Sequence, residues 1–182
     1  GGEFEVFITP EQEIPAEPLG VPWESCVTLG QQWKYVPDEK YKSPAEVIRM
    51  LAETAAKGGN LLLGIGPAPD GTIPAPVVKR LKEVGKWLET NGEAIYGTRP
   101  IPPYQSGGTR FTSKDGHIYA IALEHGRNSV AVGGLRPAPG SKIQILGIKQ
   151  EVEWTPTDSG FTADLSAVEC GEGETIVIKL AK

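Results

Sequence analysis

Between positions 43 and 91 apolar residues recur every three to four positions in two separate stretches. Ile48, Leu51, Ala52 and Ala55 form the first stripe, and that spacing marks one face of a helix. Ser43 precedes it as an N-cap, Pro44 takes the first helical position, and Glu46 completes a Ser-x-x-Glu capping box. The helix therefore starts at Ser43. Gly58-Gly59 ends it, because glycine accepts the left-handed conformation that closes a helix. Val77, Leu81, Val84 and Leu88 form the second stripe, over about Pro76 to Thr90. Lys79, Arg80, Lys82, Glu83 and Lys86 cover its other side, as on a helix with one buried face.

Two shorter apolar runs lack the helical period: Trp23 to Leu29, and Asn60 to Ile65. The second is almost entirely apolar, which predicts a strand buried on both faces, as in a parallel sheet. Residues 23–91 thus read strand, loop, helix, strand, loop, helix, or two consecutive β/α units. Two units do not close a sheet, so further strands are expected outside this chain. Upstream, alternation at Phe4, Val6 and Ile8 suggests a short strand. Thr9 to Pro22, broken by Pro10, Pro15, Pro18 and Pro22, reads as a long loop. Long ordered loops in compact domains tend to carry function.

After Tyr96 the pattern changes. Pro100, Pro102 and Pro103 read as a linker. From Gly108 onward short runs alternate with turns such as Lys114-Asp115-Gly116, Pro139-Gly140 and Thr157-Asp158-Ser159-Gly160. The runs are Thr109–Thr112, His117–Leu123, Ser129–Val132, Lys142–Leu146, Val152–Thr155, Gly160–Asp164 and Glu174–Leu180. Such spacing without a helical period predicts a small antiparallel sandwich or barrel. The expected organisation is α/β plus all-β, with a boundary near residue 98.

Composition narrows the class. Of 182 residues, 39% are hydrophobic and 23% charged, which suits a packed globular chain rather than a disordered one. Lys and Arg number 18 against 23 Asp and Glu, a net charge of −5. No basic field is present to hold a phosphate backbone, so nucleic acid is not an expected partner. No apolar run is long enough to span a bilayer, so no membrane is implied either. Cys26 and Cys170 are too few for a disulfide scaffold and show no zinc spacing. His117 and His125 suggest no third ligand, so no metal site is expected. The chain opens Gly-Gly-Glu without an initiator Met or an apolar leader, so it is read as a piece of a longer protein.

Three segments taken together are familiar: WESCVTLGQQWKY, SPAEVIRMLAETAAKGGNLLLGIGPAPDGTIP and WLETNGEAIYGTRP. In this order they closely resemble the C-terminal part of the α-L-fucosidases of glycoside hydrolase family 29, over roughly residues 9 to 99. The resemblance implies residues 1–98 as the last β/α units of a (β/α)8-like barrel, an incomplete catalytic domain. Residues 99–182 would be the C-terminal β-sandwich. The loops after barrel strands form the active face of such folds, which places Thr9–Pro22 and Gly30–Lys42 there. The implied activity is retaining hydrolysis of terminal α-L-fucose from glycoconjugates. A fucosylated glycan is the implied substrate, no cofactor is called for, and the setting is secreted, periplasmic or lysosomal.

Retention needs a nucleophile and an acid/base about 5 Å apart. The family's nucleophile is an Asp on an earlier barrel strand, and no residue here corresponds to it. The missing N-terminal barrel half of the same protein would supply it, and this piece alone is expected to be inactive. The acid/base lies on the loop before the Trp-Glu strand. Glu3, Glu5, Glu11, Glu13 and Glu17 are the candidates; the resemblance favours Glu11, whose distance before Trp23 is similar to that of the acid/base in several members, with Glu3 as the alternative. The resemblance puts Trp33 against the apolar side of the sugar, where the C6 methyl of fucose meets a flat ring; packing at the barrel end is the alternative. Glu24 either orients active-site groups through a hydrogen bond or forms a structural ion pair. Asn60 either holds a neighbouring loop near the active face or serves as a strand-entry residue. Two other classes stay open: a non-catalytic carbohydrate-binding module built on the β domain, and an assembly fragment.

Overall fold

The computed structural model describes residues 8–169 and 174–181. Glu3, Glu5, Phe4, Val6 and Cys170 lie outside the described residues. The chain divides into two compact units between Gly85 and Lys86.

In the first unit, strand β1 (Glu24–Thr28) leads through a loop to helix α1 (Pro44–Ala56), which returns to strand β2 (Asn60–Gly64); helix α2 (Ala75–Asn91) follows, and its residues from Lys86 on belong to the second unit. β1 and β2 pair in parallel, Glu24 opposite Asn60 and Thr28 opposite Gly64. The start of α1 is set locally, as the capping box predicts. The Glu46 amide donates to Ser43 Oγ at 3.3 Å, and the Ser43 amide donates to Glu46 Oε2 at 2.7 Å. These bonds hold the Glu46 carboxyl below its usual pKa, the Ser43 backbone bond most of all.

The other end of α1 depends on Trp23. Its buried indole donates from Nε1 to the Lys57 carbonyl at 3.3 Å. The ring fills the space beside Gly59, where a Cβ would stand 2.3 Å from the indole. Gly58 closes the helix at φ +79°. The Asn60 amide then donates to the Trp23 carbonyl at 3.0 Å. Both glycines of Lys-Gly-Gly-Asn thus have a steric cause, one in backbone conformation and one in contact with a rigid ring.

β1 has a second neighbour. The Ile8–Gln12 segment runs parallel beside it on the side away from β2, bridging Ile8 to Trp23 and Glu11 to Cys26. What reads as the start of a loop is therefore a strand-like edge. β2 also departs from expectation. Leu62 is 52% exposed, and Leu61 and Leu63 are only half-buried, so within this unit the apolar run is not buried on both faces.

In the second unit, a short 3-10 turn (Gly92–Ala94) follows α2, and among the described residues nine strands come after it. They are β3 (Arg99–Ser106), β4 (Thr109–Lys114), β5 (His117–Ala122), β6 (Ser129–Gly133), β7 (Ile143–Ile145), β8 (Glu151–Val152), β9 (Trp154–Pro156), β10 (Gly160–Asp164) and β11 (Ile176–Ala181). One antiparallel sheet has the order β3-β4-β5-β11-β7-β8, the other β6-β10-β9. Phe111, Val130, Val132, Phe161, Ile178 and Leu180, from both sheets, share one buried cluster, as the layers of a sandwich do. Asp115 and Gly116, both at positive φ, turn β4 into β5, as a two-residue hairpin requires.

Two further sequence expectations are corrected in this unit. The proline stretch is no linker: it is β3, an edge strand whose register shifts between Pro100 and Gln105. An edge needs hydrogen bonds on one side only, so prolines are tolerated there. The Val152–Thr155 run is two strands. β8 pairs with β7 and β9 with β10, so the chain changes sheets at Glu153.

The outer face of the larger sheet is covered by the end of α2 and the turn after it. Trp87 Nε1 donates to the Thr175 carbonyl at 2.8 Å, and Thr112 Oγ1 to the Ala94 carbonyl at 2.7 Å. The Tyr119 hydroxyl donates to Glu93 Oε2 at 3.2 Å, and Lys179 pairs with the same carboxylate at 3.1 Å. Burial first, then the Glu93 charge, pushes the Tyr119 phenol up to about 12.

Two outcomes follow from these contacts. Gly59→Ala drives a methyl into the Trp23 ring and lowers stability by roughly 1–3 kcal/mol. Gly85→Ala, in α2 with open space at its Cβ, raises stability by about 0.5–1 kcal/mol. Thermal midpoints of the two variants shift in opposite directions; a shift in the same direction contradicts the packing described. Tyr119 binds its proton more tightly folded than unfolded, so its contribution is complete below pH 10 and is lost between pH 10 and about 12. Tyr119→Phe removes that alkaline step from the stability profile, whereas an unchanged profile rules it out.

Candidate functional site

The C-terminal ends of parallel strands are where an α/β layer gathers its functional loops. Here three such ends lie side by side: Gln12, Thr28 and Gly64. Glu11 sits just before the first of them. Its backbone is held on both sides by Cys26, whose amide donates to the Pro10 carbonyl at 2.9 Å and whose carbonyl accepts from the Gln12 amide at 2.8 Å. The Glu11 side chain is exposed. Among the described residues its carboxylate has no hydrogen bond or ion pair. Glu13 and Glu17 follow on the same loop, also exposed.

Lys57 ties this loop back to α1. Its buried side chain donates from Nζ to the Pro15 carbonyl at 2.8 Å and pairs with Glu53 at 3.2 Å. A lysine head group leaves water only when such partners replace it.

The Gly30–Lys42 loop leaves the end of β1. Lys42 closes its base, with Nζ donating to the Thr28 carbonyl at 2.6 Å and its amide to the Leu29 carbonyl at 2.8 Å. Trp33 is 51% exposed. Its ring approaches the end of β2, where a Cβ on Gly64 would stand 3.8 Å from Cε3. Glu39 folds beneath the loop onto Gly30, whose lack of a side chain makes room: a Cβ there would meet Glu39 Cγ at 2.7 Å. Glu39 Oε1 accepts from the Lys40 amide at 2.9 Å. Gly30, Tyr35, Glu39, Tyr41 and Gly66 line an open pocket. Burial first, then the nearby Glu39 carboxylate, raises the Tyr41 phenol above its usual value.

The structure therefore brings Glu11 and Trp33 to one end of the parallel layer. Glu24 and Asn60 stand opposite each other at the other end, where β1 and β2 begin. Glu24 is half-buried, and among the described residues its carboxylate has no hydrogen bond or ion pair. The Asn60 amide hydrogen serves the Trp23 carbonyl, the bond that opens β2. Glu3 lies outside the described residues.

Gln12, Thr28, Lys42 and Lys57 carry the local architecture, and the sequence patterns do not single them out. Each acts through a polar contact over 14 to 42 positions, and such contacts leave no periodicity.

A family profile described as Alpha-L-fucosidase matches residues 2–93. An alpha-L-fucosidase of Branchiostoma floridae is 34% identical over 152 residues, 79% of this chain and 34% of that protein. The tissue alpha-L-fucosidase of Homo sapiens is 36% identical over 152 residues, 79% of this chain and 33% of its own. Among solved structures, alpha-L-fucosidase isoenzyme 1 from Paenibacillus thiaminolyticus matches with a TM-score of 0.84 at 29% identity, covering 96% of this chain and 44% of that one. The chain spans about a third of the length of these curated relatives.

Proposed function

The chain belongs to the alpha-L-fucosidase family, and from that premise we propose that it is the C-terminal part of a retaining exo-α-L-fucosidase. On this reading residues 1–98 are the closing β/α units of a (β/α)8-like barrel and residues 99–182 a β-sandwich. The nucleophilic Asp stands on a barrel strand of the preceding polypeptide, and residues 1–182 alone release no fucose. A fucosylated glycan is the substrate.

The observation that carries the proposal is the parallel layer Ile8–Gln12, β1, β2. It places a carboxylate on a well-held backbone and an exposed indole on the Gly30–Lys42 loop at the same end of the strands. Leu62 on β2 and Ile8 at the opposite edge are both exposed, which suits a layer that continues on either side.

Glu11 then acts as general acid, giving its proton to the glycosidic oxygen while the Asp attacks the anomeric carbon from the other face. In the second step its carboxylate takes a proton from the water that releases fucose. An acid of this kind works in a poorly solvated site. Glu11 is exposed in this chain, so the remaining barrel and the bound sugar provide the cover. Trp33 offers its face to the C6 methyl. Glu3 is the alternative acid/base. Glu24 and Asn60 support the barrel at the strand starts.

The test uses the complete polypeptide with Glu11→Ala. Cleavage of a fucosylated disaccharide, whose leaving group needs a proton, falls about 10²–10⁴-fold. Cleavage of an aryl fucoside with an acidic phenol falls far less. Equal losses on both substrates contradict the assignment.

A further inference from the structure

β1 hands its amide hydrogens alternately to its two neighbours. Toward the Ile8–Gln12 side, the Glu24 amide donates to the Ile8 carbonyl at 3.1 Å and the Cys26 amide to the Pro10 carbonyl at 2.9 Å. The next rung belongs to the Thr28 amide, and the next acceptor in sequence is the Gln12 carbonyl. Gln12 has left the strand by then, at φ +57°, a conformation that a residue with a side chain adopts at a cost. The rung is nevertheless made. Thr28 donates to the Gln12 side-chain carbonyl, Oε1, at 3.2 Å. A side-chain amide has taken the place of the backbone amide.

The same amide is engaged at its other end. Gln12 Nε2 donates to Thr28 Oγ1 at 3.0 Å. The single hydroxyl hydrogen of Thr28 goes to its shortest partner, the Gly30 carbonyl at 2.7 Å, and Lys42 Nζ approaches the same carbonyl at 3.4 Å. Thr28 is buried while Gln12 is exposed, so losing Gln12 takes from the Thr28 amide and hydroxyl the side-chain partner that holds them in place. The result is a continuous chain of contacts. It runs from the residue after Glu11, through Thr28, to the first residue of the loop that carries Trp33 and the lysine that closes it.

We infer that Gln12 is a positioning residue for Glu11: by completing the β1 ladder through its side chain, it fixes where the strand ends and where the Glu11 carboxyl is presented, in register with the Trp33 loop. Asparagine is one methylene too short to span the rung from the same backbone. Glutamate keeps the acceptor for the Thr28 amide but loses the donor to Thr28 Oγ1. The inference rests on the reading of Glu11 as acid/base.

The experiment uses the complete polypeptide with Gln12→Ala, Thr28→Val, Thr28→Ser and, as reference, Glu11→Ala. Each is assayed on a fucosylated disaccharide and on an aryl fucoside with an acidic phenol, and thermal midpoints are recorded. A misplacement on the order of 1 Å costs about 100-fold. Gln12→Ala and Thr28→Val are therefore expected to lose roughly that factor in kcat/KM on the disaccharide, with a much smaller loss on the activated substrate. Thr28→Ser, which keeps the hydroxyl, retains most activity on both. If Glu11→Ala shows the leaving-group dependence while Gln12→Ala loses both activities equally, or neither, Gln12 does not position the acid and the inference is overturned. If Glu11→Ala itself shows no such dependence, the assignment of Glu11 fails and the inference falls with it.

Discussion

The hydrogen-bond ladder on either side of β1 is the constraint on which the first unit depends. A central parallel strand is buried, and its amides and carbonyls must be paired by neighbours because water cannot reach them. β1 meets that demand with β2 on one side and Ile8–Gln12 on the other. The candidate residues are attached to those rungs. Glu11 is held between two bonds to Cys26, the Gly30–Lys42 loop hangs from the end of β1, and the Trp33 ring lies toward the end of β2. The ladder also explains the glycines around Trp23. The indole locks the turn from α1 into β2, and so sets the register in which β2 meets β1.

Much of this was legible where the determining interactions are short in sequence. The capping box at Ser43 and Glu46 marks the start of α1 because both partners lie within four residues. Asp115-Gly116 marks a hairpin because the turn needs positive φ at both positions. Legibility failed where the deciding contact is distant. Pro10 reads as a breaker, since it has no amide hydrogen, yet its carbonyl still accepts a rung from Cys26, so the segment pairs. Pro100, Pro102 and Pro103 fail in the same way: an edge strand asks less of its backbone than a central one does. The apolar run in β2 reads correctly as a strand, but its expected burial on both faces is not met within this unit, where Leu62 is exposed and Leu61 and Leu63 are half-buried.

The candidate site divides along the same line. The family resemblance points to Glu11 and Trp33, and the strand ends put both at one end of the parallel layer. Glu24 and Asn60 sit at the other end, because a Trp-Glu pair opening one strand and a Gly-Gly-Asn opening its parallel neighbour must both lie where the strands begin. Gln12 shows no sequence signal of its own. Its role comes from a backbone that turns away one residue before the ladder is complete, and a side chain long enough to finish it.

The role proposed for Glu11 requires β1 to be an interior strand of a larger parallel layer whose C-terminal end holds that acid beside the scissile bond. A crystal structure of the complete polypeptide with a bound fucoside tests this most directly. The expected result is additional parallel strands beyond both β2 and Ile8–Gln12, and the Glu11 carboxyl within hydrogen-bonding distance of the glycosidic oxygen. A β2 edge with no strand beside it, or a Glu11 carboxyl turned away from the sugar, would contradict it.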